Sequence, residues 1–387
     1  MNSGVELVPV EPNISPAYFE RECDTIFRHV WLQVGRVEQI PRPGDYFLRE
    51  LAAPRAAVLV VRGSDGVLRA FHNVCRHRGN CVVSRGEGSA RSFMCGFHGW
   101  TYDTEGALIH VPQEKEFGGL NREAFGLLPV ALEVWEGFVF IHLDPSPPET
   151  LQEYLGDVAP LVNGFPFDEM ELAGHWTASI ESNWKTFQDA FVEAYHVMTV
   201  HRRSIPDYRE GPVKSDLQTF GRHGNLTFYL DLHHEPKPAE AWAFQAGSLA
   251  FLRGETSEPV RDRRPAGLNR GKKDNWIFDE FLIFPNFHLF VGDGWLLCHE
   301  FAPISAHQTD WSVRYYLQRT DNPVVRIAQE YSKVTMRDTI REDLSTIEST
   351  HAAHRSGALS HMVLSRELEA LIAHHHAVVA SYVEGRA

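Results

Sequence analysis

Two short segments, Cys75-Arg76-His77-Arg78-Gly79 and Cys95-Gly96-Phe97-His98-Gly99-Trp100, each carry one cysteine and one histidine. Thiolates and imidazoles in matched pairs are ligands for redox-active iron. Two Cys on one iron and two His on the other form a [2Fe–2S] centre with a higher potential than an all-Cys cluster. Zinc also accepts two Cys and two His. Zinc sites, however, usually pair like with like, as C-x2-4-C and H-x3-5-H. Here Cys-x-His is followed by seventeen residues and then Cys-x2-His. The spacing therefore favours iron and sulfide, and with them electron transfer.

A second constellation lies in Asn183-Trp184-Lys185-Thr186-Phe187-Gln188-Asp189-Ala190-Phe191-Val192-Glu193-Ala194-Tyr195-His196-Val197-Met198-Thr199-Val200-His201. Trp184, Phe187, Phe191, Ala194 and Tyr195 recur at helical spacing, which predicts a helix with one apolar face. His196 follows Glu193 by one turn, and His201 falls where the helix ends or bends, so the two imidazoles can converge. Two His and one carboxylate form the facial set that leaves positions on non-haem Fe(II) open for dioxygen and substrate. The carboxylate is sought in Arg337-Asp338-Thr339-Ile340-Arg341-Glu342-Asp343-Leu344-Ser345-Thr346-Ile347-Glu348, within a long helix expected after Asn322-Pro323. Asp338, Glu342, Asp343 and Glu348 compete there, and such a charged run also suits a solvated face.

The elements that must hold these groups differ between the two halves. Apolar runs at Ala57–Val61 and Gly137–Ile141, with a turn at Asp103-Thr104-Glu105-Gly106, predict an all-β domain over residues 39–155. Residues 165–387 mix the two helices with strand candidates at 227–230, 280–284, 287–290 and 312–317. Residues 1–38 are expected to pack on this second domain. Phe187, Ala190, Val197 and Phe287 are apolar candidates for pocket walls, and Asp189 is a candidate catalytic residue able to pair there with a cation or hydroxyl. Residues 255–275, rich in Pro, Gly and charge, read as a surface loop rather than a lid. His233-His234 and His374-His375-His376 read as solvated histidines, and Cys81 as a buried small hydrophobe.

The chain has 387 residues, 43% of them hydrophobic, and 51 acidic against 37 basic residues give a net charge of −14. Two to three domains fit that length, and the charge argues against nucleic acid or an anionic membrane as partner. Cys23, Cys81 and Cys298 remain outside the cluster motif, an odd number that forms no disulfide framework and suits a reducing cytoplasm. The N-terminal residues have neither a basic start nor an apolar core. No apolar run approaches eighteen residues, so a soluble, unexported protein is expected.

Over nearly its whole length the chain resembles the oxygenase α subunit of the Rieske non-haem iron oxygenases, the aromatic-ring-hydroxylating family. The resemblance rests on Cys75, His77, Cys95 and His98 with their flanking glycines, on Asn183-Trp184-Lys185, Glu193, Tyr195-His196 and His201, and on Asp343 followed five residues later by Glu348. It implies an α+β protein: an all-β Rieske [2Fe–2S] domain and a helix-grip, START-like antiparallel sheet. The implied ligands are Cys75, His77, Cys95 and His98 for one [2Fe–2S] cluster per chain. His196, His201 and Asp343 are implied for one Fe(II), with Glu342 as the neighbouring alternative to Asp343. Glu193 takes the place of a carboxylate that bridges His196 to His98 of an adjacent subunit, and its position is occupied by Asp in many relatives and by Glu in others. A homotrimer follows, with a possible β subunit, fed from NAD(P)H through a ferredoxin or flavin reductase. The implied activity is hydroxylation of an organic, largely apolar or aromatic substrate with O2. Oxidative demethylation of an aryl ether or quaternary amine is the alternative, and a Rieske electron carrier is a third reading that leaves His196, His201 and Asp343 without a use.

Overall fold

A computed structural model describes residues 4–209, 215–231, 234–246 and 264–386. The chain divides into two compact units, residues 23–154 and residues 155–387 with the stretch up to Glu22.

The first unit is all-β. A seven-stranded antiparallel sheet runs in the order Leu32–Arg36, Phe138–His142, Pro129–Trp135, Leu68–His72, Ala56–Arg62, Asp45–Leu51, Glu87–Ser89. A three-stranded sheet of Ser92–Met94, Thr101–Asp103 and Leu108–His110 stands beside it in the chain. Val58, Leu59, Val60 and Val61 are buried without alternation, as expected of a strand covered on both faces. The turn at 103–106 forms as expected. Gly106 adopts φ +90°, and a Cβ there would meet the Phe71 ring, so glycine is required on both counts. Because Leu32–Arg36 pairs with Phe138–His142, residues 23–38 belong to this unit and not to the second one as expected. Only the part up to Glu22 packs on the second unit, where Val5–Pro9 pairs with His361–Ser365.

The second unit is built on a seven-stranded antiparallel sheet in the order Met170–Ile180, Gln308–Gln318, Trp295–Ser305, Phe287–Gly292, Trp276–Ile283, His223–Tyr229, Asp216–Phe220. Against one face lies the helix Pro323–Arg355, started by Asn322, whose side chain accepts from the Val324 N–H at 3.0 Å. Its buried stripe includes Met336, Ile340, Asp343, Ile347 and His351, at three- and four-residue steps. Phe187, Trp295, Leu297, Phe301 and Tyr315 join Met336, Ile340 and Ile347 in the core between sheet and helices. Phe187 and Phe287 are packed into the protein interior and do not line the cavity described below; Phe287 alternates with His288 on its strand and points to the opposite face. The segment 255–263, with its Arg261-Asp262-Arg263 run, and His233 lie outside the described residues.

Candidate metal centres and substrate cavity

The two Cys/His segments fold into loops with the same backbone pattern. The Cys75 N–H donates to Asn80 O at 2.8 Å and Gly79 N–H to Cys75 O at 3.0 Å; Cys95 donates to Trp100 O at 2.8 Å and Gly99 to Cys95 O at 3.0 Å. Gly79 and Gly99 both take positive φ, +77° and +73°, which lets each loop turn tightly past its histidine. The Asn73 side chain pins the first loop's return, accepting from Val82 and Val83 N–H at 3.0 and 2.9 Å. Cys75 and Cys95 are buried, and the His77 and His98 rings lie side by side, centroids 4.5 Å apart. The Tyr102 hydroxyl accepts from Arg76 N–H at 3.0 Å, which leaves its proton for Cys75 Sγ at 3.4 Å. Burial opposes ionisation of Cys95, yet N–H donation from Phe97 and the Asn80 amide holds its thiol below the ordinary value. Buried His77 Nδ1 has no hydrogen-bond partner among the described residues. Burial pushes the Cys75 thiol up, unlike that of Cys95; the donor set of two thiols and two imidazoles, one of them orphaned, fits a [2Fe–2S] cluster. Cys81 is exposed, contrary to expectation, because residues 78–81 run along the surface past the loop while its neighbours Val82 and Val83 supply the buried apolar groups.

In the second unit His196, His201 and Asp343 offer atoms that all lie within 4.8 Å of one another. His201 Nε2 is 2.8 Å and His196 Nε2 3.4 Å from Asp343 Oδ1, and the two Nε2 atoms are 3.3 Å apart. Asp343 Oδ1 is buried without a partner in hydrogen-bond geometry. Both Nδ1 atoms face outward onto carboxylates: His196 Nδ1 to Glu193 Oε1 at 2.5 Å, His201 Nδ1 to Glu342 Oε2 at 3.0 Å. Ser204 Oγ donates to the same Glu342 oxygen at 2.6 Å. A carboxylate on Nδ1 fixes both ring orientation and tautomer, presenting the Nε2 lone pair inward. The set fits a divalent cation held by two imidazoles and one carboxylate. Without one, burial works against protonating His196, but Asp343 and Glu193 prevail and raise its pKa to about 10.

The helix expected across 183–201 is interrupted. It runs over Trp184–Asp189, capped by Asn183, and resumes only at Val197–Val200. The cause is Glu193, whose Oε2 accepts from the N–H groups of Tyr195 and His196 and so replaces helical carbonyls with a side chain. The break lets residues five apart in sequence aim both Nε2 atoms at one point.

A cavity of about 740 Å³, part of it open to solvent, borders the three residues. Its walls are largely hydrocarbon, including Phe278, Phe290, Leu297, Met336 and Ile340 together with the expected Ala190 and Val197. Asp189 does not line it. A second cleft, which also borders Glu193, His196 and Asp343, holds Asp189, whose carboxylate receives His376 Nε2 at 3.0 Å.

Comparison with known proteins bears on both units. The model of the Rieske [2Fe-2S] domain matches residues 30–132, and that of the ring hydroxylating alpha subunit (catalytic domain) matches residues 167–385, more than half of the chain. The chain belongs to the ring-hydroxylating α-subunit family. Members carry a Rieske [2Fe–2S] cluster and a mononuclear iron. It is 32% identical over 239 residues to the carnitine monooxygenase oxygenase subunit of Escherichia coli (strain K12), covering 61% of either chain. It is 39% identical over 194 residues to the large oxygenase component of the naphthalene 1,2-dioxygenase system of Pseudomonas putida, covering 48% of this chain and 42% of the relative. The matched stretches thus span less than two thirds of these relatives. In fold, a quaternary ammonium Rieske monooxygenase in complex with L-carnitine superposes with TM-score 0.76 at 23% identity, over 98% of this chain and 97% of the other. Naphthalene 1,2-dioxygenase from Rhodococcus sp. bound to indole gives 0.77 at 20%, over 97% and 94%.

Several side chains lie otherwise than expected. His375 and His376 are buried, not solvated, because the helix Ala370–Val383 turns them inward against Trp184 and Asp189. His234 is held between Asp207 and Glu240, 2.8 Å from the latter. Glu348 Oε1 accepts from Glu181 N–H at 3.1 Å. Sequence reasoning missed the role of Glu342 as the His201 partner, and missed Glu280, His288 and His299, which stand buried on the sheet face that meets the cavity. Charged or imidazole side chains in otherwise apolar strands were the available signal.

Proposed function

We propose that this protein is the terminal oxygenase of a multicomponent system, inserting oxygen from O2 into an organic, largely apolar substrate. The observation that carries this reading is the convergence of His196, His201 and Asp343 at the wall of a hydrocarbon-lined cavity. Cys75, His77, Cys95 and His98 would hold the [2Fe–2S] cluster, and His196, His201 and Asp343 the iron, whose chemistry when bound is reductive activation of dioxygen. The protein's own residues then have distinct tasks. Glu193 and Glu342 hold the imidazoles, the apolar walls exclude water and orient the substrate, and the cavity beside His196, His201 and Asp343 would leave room for O2. For monooxygenation the balance is RH + O2 + 2e− + 2H+ → ROH + H2O. For dioxygenation both oxygen atoms enter the ring with the same electrons and protons.

Electrons would come from NAD(P)H through a reductase, with or without a ferredoxin. Glu193 would join His196 to His98 of a neighbouring copy in a homotrimer, with or without a β subunit. No helix among the described residues is long and apolar enough to cross a membrane. The carnitine monooxygenase relative supports a second reading, oxidative demethylation of a quaternary amine. Single turnover of reduced protein with 18O2 and a panel of arenes, aryl ethers and quaternary amines separates these. Two labels in one product mean dioxygenation, one label hydroxylation, formaldehyde demethylation. Reduced protein that consumes no O2 in the presence of any of them refutes the oxygenase reading.

A further inference from the structure

The cavity beside His196, His201 and Asp343 has two fully buried polar wall residues that the metal site does not use. They are Glu280, on strand Trp276–Ile283, and His299, on strand Trp295–Ser305. Thr339, also in the wall, spends its hydroxyl on the Thr335 carbonyl of its own helix at 2.9 Å. His299 has no such outlet. Neither of its ring nitrogens has a hydrogen-bond partner among the described residues, and the ring is boxed by Phe191, Phe290, Phe301 and Trp311 at 4.9 to 5.9 Å between centroids. Burial lowers its pKa to about 3, so the ring is neutral and offers one N–H and one lone pair. Buried polar groups in folded proteins are almost always satisfied, so an orphan in a cavity wall calls for a ligand.

Glu280 stands on the same face of the sheet. Its Oε1 lies 2.9 Å from His288 Nδ1 without hydrogen-bond alignment and is buried without a partner among the described residues. His288 Nε2 is 2.8 Å from Gln188 Oε1. On the neighbouring strands His288 stands directly opposite His299.

We propose that His299 binds a hydroxyl group of the substrate, and that the substrate is an uncharged, mainly hydrocarbon molecule bearing that hydroxyl. The proposal rests on the oxygenase reading above. A hydroxyl can accept from the His299 N–H or donate to its lone pair, so it satisfies the orphaned ring. A quaternary ammonium group has neither a donor nor an acceptor and would leave the ring unpaired beside a positive charge.

The test is equilibrium binding to the holoenzyme, by calorimetry without reductant, of three probes of similar size: indane, 1-indanol and phenyltrimethylammonium. The expected order is 1-indanol at least about tenfold tighter than indane, with the ammonium weakest, since a site built to hydrogen-bond a hydroxyl rejects analogues lacking it. His299→Phe, which keeps an aromatic ring, should erase the ratio, and His299→Gln, which keeps a donor and an acceptor, should restore part of it. Equal affinity of the wild-type protein for indanol and indane, tightest binding of the ammonium, or no binding of any probe overturns the proposal, whether or not a variant folds. 18O incorporation is read separately. Labelled product without hydroxyl preference overturns this proposal and leaves oxygenation standing; hydroxyl preference without O2 consumption supports the binding site and overturns the oxygenase reading.

Discussion

Replacing Glu342 tests whether it orients a ligand or is one. Its carboxylate reaches His201 Nδ1 at 3.0 Å and is anchored by Ser204 at 2.6 Å, while Asp343 sits on the Nε2 side at 2.8 Å. Carboxylate partners of ligating histidines typically contribute 10- to 100-fold in metal affinity, or about 1.4 to 2.8 kcal/mol. The Glu342 side chain is 25% exposed, so solvent screens its charge and places Glu342→Gln, which can still accept from Nδ1, near the lower end of that range. Glu342→Ala also removes the hydrogen bond and belongs near the upper end. Ser204→Ala, one bond further from the ring, should cost less than either. Ferrous iron affinity is read by chelator competition, with the visible absorption of the cluster as an internal control. Asp343→Ala should abolish iron binding under the same conditions. The reasoning fails if Glu342→Ala binds iron as tightly as wild type, or if Asp343→Ala retains iron while Glu342→Ala loses it.

Other consequences can be checked in parallel. Glu193→Gln should leave both metal centres occupied but slow cluster-to-iron electron transfer in rapid-mixing experiments, and transfer at the wild-type rate would rule out a bridging role. Glu22 and Lys185 are fully buried partners, with Trp184 Nε1 donating to Glu22 at 2.9 Å. Glu22→Gln should therefore destabilise by about 3–5 kcal/mol, whereas replacing both partners with Met should recover most of it. Equal unfolding midpoints for the single and double variants would contradict this. His288, His299 and His375 are buried with pKa values lowered by burial, so below pH 6.5 the unfolded chain binds more protons than the native one and stability falls as pH falls. From pH 7.0 to 6.0 each contributes a loss of about 0.7 kcal/mol, roughly 2 kcal/mol together. His196, whose folded pKa is raised to about 10 in the metal-free site, acts with the opposite sign, since its contribution is complete below pH 6.5 and is lost towards pH 10. Metal-loaded protein removes that term, and a urea midpoint no lower at pH 6.0 than at 7.0 would refute the account.

Much of the architecture was legible because it depends on local pattern. Val58 to Val61, the Asp103–Gly106 turn and the Asn322-Pro323 helix start all declare themselves in type and spacing. Asp343 was singled out by the family resemblance and not by spacing; in the structure it lies three residues after Ile340 and four before Ile347 on the buried stripe, whereas the side chains of Asp338 and Glu348 fall elsewhere on the helix. The interruption after Asp189 was not legible. Apolar periodicity continues through Phe191, Ala194 and Tyr195, and only the tertiary demand that Glu193 serve His196 diverts its carboxylate onto the backbone. The histidines failed for a related reason. A polar residue reads as exposed until its partner is known, and the partners of His376, His234 and His201 are distant in sequence or, for Glu342, hidden in a charged run.

The second metal site shows why its carboxylates cannot be assigned one at a time. Glu193, Glu342 and Asp343 surround two imidazoles, so a bound divalent cation would leave an excess of one negative charge. That excess would favour the more oxidised iron, which suits the proposed reduction of dioxygen. The same anions stabilise imidazolium, as the raised values of His196 and His201 show against the opposing effect of burial. Protons and metal therefore compete for the Nε2 atoms, and whatever holds the rings for iron also holds them for protons. Asp343 cannot resolve this alone because it faces both Nε2 atoms from inside. Resolution comes from outside, where Glu193 and Glu342 fix the proton on Nδ1 and so reserve each Nε2 lone pair for the metal. This division of labour requires a carboxylate on each Nδ1, and it makes the break in the helix at Glu193 part of the site's chemistry.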